Sequence, residues 1–168
     1  MLLARADAHS RPPAQLNSVD ARDLVAEMAK AYADARVPVT LVASEPVMIM
    51  VDAEELRRAV GNLVDNAVRH AHTRVEIAAC VDHGQAVISV SDDGPGIPPA
   101  DRERVFERFT RLDDARQRSS GGAGLGLAIV RELITRAGGA VALTVAEPPW
   151  HTRAELRLPL AEAAPITK

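Results

Sequence analysis

The chain has 168 residues, is 47% hydrophobic but only 2% aromatic, and sets 20 Lys and Arg against 23 Asp and Glu for a net charge of -3. That is apolar material for one domain with its own core; the spread charges leave no basic patch for nucleic acid or a membrane surface, and so few rings exclude a stacking platform for single strands. No apolar run approaches the roughly 18 residues of a membrane span, and Met1-Leu2-Leu3 is too short for a signal-peptide core, so no direct membrane insertion and a cytoplasmic location are expected, with any membrane association made through a partner.

In chain order, Met1 to Ala8 reads as the tail of a helix and His9 to Gln15 as a proline-containing connector, so residues 1–15 precede the domain proper, which spans 16–160. Asp20 can cap a helix from Ala21 to about Ala35, with Leu24, Val25, Met28 and Tyr32 at helical spacing. Two strand-like stretches, Val37 to Val42 and Val47 to Val51, flank a Ser-Glu-Pro turn. Asp52 then caps a central helix that runs to about Ala71. Arg74 to Val81 and Gln85 to Ser91, joined across His83-Gly84, read as a hairpin, and Cys80 within it is expected to be a buried structural thiol. Residues 98–120 are polar, with one short helical patch, and are long enough to suggest a functional lid. A helix from about Gly124 to Arg136 ends at Gly138-Gly139. Strands at Ala140 to Val145 and Thr152 to Leu158 close the domain, and residues 161–168 form a tail.

Three places carry chemistry. On the central helix, Leu56, Val60, Leu63 and Ala67 form a core stripe, and Asn62, Asn66 and Arg69 or His70 line the stripe beside it. The amide oxygens of Asn62 and Asn66 are hard neutral ligands suited to Mg²⁺, which keeps most of its waters and shares phosphate oxygens. A merely solvated polar face is the alternative. At the end of the hairpin, Asp92-Asp93-Gly94-Pro95-Gly96-Ile97 delivers a carboxylate beside a turn whose glycines tolerate positive φ. In a pocket that carboxylate can accept from the exocyclic amine of a base; otherwise Asp92 or Asp93 caps its own turn. Finally, Gly122-Ala123-Gly124-Leu125-Gly126-Leu127 opens a helix whose free N–H groups suit phosphates. Leu127 stands where a dinucleotide fingerprint needs its third glycine, and no Gly-Lys-Ser/Thr occurs, so neither a Rossmann nor a Walker site is present.

Together these segments resemble the ATP-binding catalytic domain of bacterial sensor histidine kinases, in the superfamily shared with DNA gyrase, MutL and the heat-shock chaperone ATPases. Asn62-Leu63-Val64-Asp65-Asn66-Ala67 is similar to the N box, Asp92 to Ile97 to the first glycine box, Phe106-Glu107-Arg108-Phe109-Thr110-Arg111 to the F box, and Gly122 to Leu127 to the second glycine box. The resemblance covers about Asp20 to Leu160. It implies an α+β fold, a two-layer α/β sandwich in which a mixed, mostly antiparallel sheet is backed by about three helices, with a mobile ATP lid. It also implies ATP and Mg²⁺ as cofactors. Asn66 would coordinate the metal, Asp92 would take the adenine amine, Arg69 and His70 would lie along phosphates and sugar, and Arg111 would reach the γ-phosphate. Gly94, Gly96, Ile97, Gly122, Gly124, Leu125, Gly126 and Leu127 would line the nucleotide, while Phe106 and Phe109 anchor the lid by packing. Hydrolytic relatives and anti-sigma serine kinases carry glutamate at the place of Asn62, and its absence argues for transfer to an imidazole.

The family's phosphorylated histidine is usually followed by Glu or Asp. Here the five histidines read His9-Ser10, His70-Ala71, His72-Thr73, His83-Gly84 and His151-Thr152, and none fits. The expected partners are therefore a phosphoacceptor and dimerisation polypeptide or preceding domain and, downstream, a response regulator. Taken as an entire protein, the chain would be the catalytic half of a split kinase. An ATP-binding regulatory module without transfer, and an ATPase or serine kinase, are the rival readings.

Overall fold

A computed structural model of the chain describes residues 15–43, 45–110, 124–144 and 146–161. The first elements are a short strand β1 (Asn17–Asp20) and helix α1 (Ala21–Ala31), joined where the Asp20 carboxylate accepts from Arg22 N at 2.9 Å and from Val47 N at 3.0 Å. Strands β2 (Val39–Ala43) and β3 (Met48–Val51) lead to α2 (Ala53–His70), whose cap Asp52 accepts from the N–H groups of Glu54 and Glu55. The hairpin β4 (Val75–Asp82) and β5 (Gln85–Asp92) turns through His83 (φ 48°) and Gly84 (φ 75°), a pair of positive-φ residues that matches the twist of its strands. Two 3₁₀ turns, Pro99–Asp101 and Arg104–Phe106, are followed by α3 (Gly126–Arg136), β6 (Ala140–Thr144) and β7 (Thr152–Pro159).

The main sheet has the order β2-β4-β5-β7-β6, parallel only at β2–β4, and β1 pairs antiparallel with β3 in a separate two-stranded sheet. Three helices among the described residues cover one face, as expected of a two-layer α+β sandwich. The predicted stripe of α2 is buried: Leu56, Val60, Leu63 and Ala67 are all at most 4% exposed. They meet Ile77, Ile88, Val90 and Leu156 of the sheet and Val130, Leu133 and Ile134 of α3 in one apolar core. Burying such side chains stabilises by about 1.5–3 kcal/mol each before chain entropy is counted.

The opposite sheet face is open to solvent. Arg157 pairs with Asp82 and Glu155, each at 3.0 Å, and Arg153 donates to Ser91 Oγ. Cys80 lies on this face, opposite Val87, and is exposed rather than buried. Strand alternation sends Val75, Ile77 and Ala79 to the core and Cys80 the other way.

Several boundaries differ from the sequence reading. The first helix stops at Ala31 rather than Ala35, because Tyr32 leaves helical geometry to bond Asp65 Oδ1 at 2.6 Å, and Arg36 turns back to cap the Val68 and Ala71 carbonyls of α2. The segments β2 and β3 enter different sheets, and β1 carries no apolar alternation to announce it. The third helix begins at Gly126, since Gly124 takes φ 67°. The N-terminal helix tail, much of the lid and most of the C-terminal tail lie outside the described residues.

Candidate functional site

Strand β5 ends on Asp92, whose partners across the sheet are Val75 of β4 and Thr152 of β7. Alternation that points Ile88 and Val90 into the core points Asp92 there too, and it is only 4% exposed. Its carboxylate accepts from Gly94 N at 2.9 Å and from the Thr152 hydroxyl, and its carbonyl accepts from His151 N at 2.9 Å. Burial raises its pKa above the ordinary carboxylate value, and the Gly94 and Thr152 bonds only partly counter this.

Asp93 turns away from the pocket. It accepts from the N–H groups of His72, Thr73 and Arg74 and from the Thr73 hydroxyl, and so ties the loop after α2 to the end of β5. Desolvation pushes its pKa up, but the hydrogen bonds from Thr73, Arg74 and His72 outweigh this and hold it well below the usual range. The turn-capping alternative is realised by Asp92. Asp92 caps its own turn and faces a pocket, while Asp93 organises a loop.

The pocket is bounded by Leu63, Asn66 and Ala67 of α2, Val90 and Asp92 of β5, Leu127 of α3, Leu143 of β6, and Thr152 and Ala154 of β7. About 10 Å³ of space, room for one water, lies between these side chains. Asn66, half-buried on its helical wall, makes no side-chain hydrogen bond among the described residues. One turn earlier, Asn62 donates to the Arg58 carbonyl at 2.8 Å, and its Oδ1 lies so near the start of α3 that a Cβ on Gly126 would stand 3.3 Å from it. Among the described residues the α3 N-terminus has no side-chain cap, and the first N–H groups of a helix suit an anionic acceptor.

Of the residues singled out in the sequence, Asn66, Asp92 and Leu127 line the pocket, and Asn62 and Gly126 meet beside it. Gly94 lies under the end of α2, where a Cβ would fall 2.5 Å from the His70 carbonyl oxygen. Gly96 takes φ 78° next to His151, and the Ile97 carbonyl accepts from Arg102 Nε. Leu125 precedes α3, and Gly124 packs on the backbone of Phe109 and Thr110. Arg69 and His70 are exposed on the last turn of α2, outside the pocket lining. Arg111 and Gly122 lie outside the described residues.

Phe106 is 3% exposed with the Arg131 guanidinium 4.6 Å from its ring centre, and it fastens the first part of the lid segment to α3. Phe109 is no such anchor: it sits at φ 65° with 72% of its surface exposed. Sequence reasoning missed Leu143, Thr152 and Ala154. They reach the pocket only through the pairing of β7 with β5 and β6, for which the local sequence carries no signal. Among the described residues no cluster of three His, Cys, Asp or Glu could hold a metal. A metal here would need Asn66 together with oxygens brought by a ligand. A neutral amide, phosphate oxygens and water are the donor set Mg²⁺ favours.

The model of the family described as histidine kinase-, DNA gyrase B-, and HSP90-like ATPase matches residues 51–162. The sensor protein RstB of Escherichia coli strain K12 is 42% identical over 110 residues, 60% of this chain and 25% of RstB. The sensor-like histidine kinase SenX3 of Mycolicibacterium smegmatis is 38% identical over 147 residues, 84% of this chain and 38% of SenX3. Among solved structures, the ATP binding domain of PrrB from Mycobacterium tuberculosis superposes with a TM-score of 0.72 at 32% identity, covering 88% of this chain and 98% of that one. Full-length ShkA in complex with AMPPNP gives a TM-score of 0.76 at 32% identity over 91% of this chain and 33% of ShkA. The chain spans less than half the length of the curated relatives it matches.

Proposed function

The chain belongs to the family of histidine kinase-, DNA gyrase B- and HSP90-like ATPases, and on that footing we propose that it binds Mg-ATP in the Asp92 pocket and donates the γ-phosphoryl group to a histidine on a phosphoacceptor domain outside residues 15–161. The observation that carries this reading is a buried carboxylate, Asp92, sharing a pocket with the Asn66 amide, which makes no side-chain hydrogen bond among the described residues. The carboxylate suits the adenine amine, the Thr152 hydroxyl orients it, and Leu63, Val90 and Leu127 provide apolar contact for the ring. From Asn66 to Asn62 is one helical turn, about 6 Å, which leads from the pocket toward the uncapped start of α3. Phosphates laid along that path meet amide oxygens on one side and helix N–H groups on the other.

Asn66 would hold Mg²⁺, which supplies charge neutralisation on the transferring phosphoryl group. Arg69 and His70 would flank sugar and phosphates, and Arg111 would approach the γ-phosphate. The acceptor imidazole attacks phosphorus with its ring-nitrogen lone pair; the bond from phosphorus to the β–γ bridging oxygen breaks, and ADP departs. An imidazole with a free lone pair needs no base at position 62, consistent with Asn62 in place of a carboxylate. The catalytic contribution asked of this chain is positioning and electrostatics.

Titration calorimetry with Mg-ATP tests the pocket. Asp92→Asn replaces an acceptor with an amide and should lower affinity by about 1.5–3 kcal/mol, the worth of a hydrogen bond to a charged group. Equal affinities for the wild type and Asp92→Asn would remove Asp92 from the site.

A further inference from the structure

One contact beside the pocket comes from a residue that belongs to none of the motifs. We propose that His151 is a positioning residue for the nucleotide site: it pins the Asp92–Gly96 turn from outside the pocket and keeps the Asp92 carboxylate aimed inward. This rests on the nucleotide reading above and adds to it a residue from the connection between β6 and β7.

The geometry is a double clamp. The His151 backbone N–H donates to the Asp92 carbonyl at 2.9 Å, and the ring Nδ1 stands 2.6 Å from the Gly94 carbonyl oxygen. A carbonyl can only accept, so Nδ1 carries the proton. The same residue covers Gly96, where a Cβ would meet the His151 carbonyl oxygen at 3.4 Å and its Cβ at 3.7 Å. Together the contacts at Asp92, Gly94 and Gly96 span the Gly94-Pro95-Gly96 turn, and glycine backbones lose the most freedom on being fixed. Inside the turn, the bond from Gly94 N to Asp92 Oδ1 spans only two residues and moves with it. His151 is different in kind, because it is held by β7, whose next residue, Thr152, pairs with Asp92 and donates to its carboxylate. Neighbouring Trp150 lies over Arg74, 5.0 Å from guanidinium carbon to ring centre, and Arg74 N donates to Asp93. Residues 151 and 152 thus hold Asp92 from the far side of the turn, while Trp150 touches Arg74, whose backbone bonds Asp93. The His151 ring is exposed and absent from the apolar core, so its removal should spare the fold.

The test uses the full chain and titrates Mg-AMPPNP into the wild type, His151→Ala, His151→Asn, Asp92→Asn and the Asp92→Asn/His151→Ala pair, with melting temperatures recorded alongside. His151→Ala should bind about 3- to 10-fold more weakly, the loss of one hydrogen bond, at a melting temperature close to wild type. Asparagine places an N–H near the position of Nδ1 and should restore affinity to within about 2-fold. In the Asp92→Asn background His151→Ala should add little, because a residue acting through Asp92 has nothing left to position. Wild-type affinity in His151→Ala, failure of asparagine to rescue, or a full additive loss in the double variant would each overturn the assignment. Absence of binding by the wild type itself would take down the nucleotide reading and this inference with it, an outcome distinguishable because failure of the His151 role alone leaves wild-type binding intact.

Discussion

Asp92 and Asp93 are the same side chain one peptide apart, placed in opposite circumstances. Burial raises the pKa of Asp92, so the folded state favours its protonated form; that stability is full below the ordinary carboxylate value and is lost as pH rises through the raised pKa. Asp93 has a depressed pKa in the fold, so its contribution is full above the unfolded value and is lost as pH falls through the depressed one. At neutral pH, without nucleotide, Asp92→Asn should therefore raise the melting temperature and Asp93→Asn should lower it. Both differences should shrink once the pH falls below about 4, where unfolded carboxylates protonate. Thermal melts from pH 7 to pH 3 check this, and shifts of the same sign at pH 7 would contradict the division of roles. The sequence offered a turn cap and a base-binding acid as alternatives for the pair. Which aspartate faces inward depends on the alternation of β5 and its register with β7, and a six-residue motif contains neither.

Among the elements, the joint between α2 and the turn after β5 matters most, because it sets the pocket's wall against its floor. Gly94 makes that joint possible: an added Cβ would fall 2.5 Å from the His70 carbonyl oxygen, a backbone atom held by the helix and unable to swing aside. Gly94→Ala should cost about 1–3 kcal/mol of stability and weaken nucleotide binding as well, measurable by denaturant unfolding and titration; wild-type values for both would show that the joint yields. Elements whose signals are local were legible. The Asp20 and Asp52 caps, the α2 stripe, and the His83-Gly84 hairpin lie where residue chemistry puts them. Elements defined by distant partners were not. Strand β1 is Asn-Ser-Val-Asp and exists because Met48–Val51 pairs with it, and α1 ends early because Tyr32 and Arg36 are claimed by α2. Cys80 sits in an apolar run, but the run continues onto a solvent-facing side of the sheet.

In the whole molecule, the site gathers five elements far apart in the sequence, from Leu63 of α2 to Ala154 of β7. The helical and glycine-rich parts of that assembly were readable because their chemistry is carried by short runs of sequence. Leu143, Thr152 and Ala154 were not, since only sheet pairing brings them in. No helix among the described residues is long and apolar enough to cross a membrane. The relatives RstB and SenX3 are longer than this chain, which corresponds to a quarter and 38% of their lengths. None of the five histidines is followed by Glu or Asp, and the role proposed above therefore takes its acceptor histidine from another domain. The most direct measurement is transfer of radiolabelled γ-phosphate from Mg-ATP, with the chain alone and then with a polypeptide carrying a dimerisation domain and its phosphoacceptor histidine. Label should appear only on that histidine, and Asn66→Ala should abolish it while circular dichroism remains that of the wild type. Label on this chain by itself, sustained phosphate release without an acceptor, or full transfer by Asn66→Ala would contradict the proposed role.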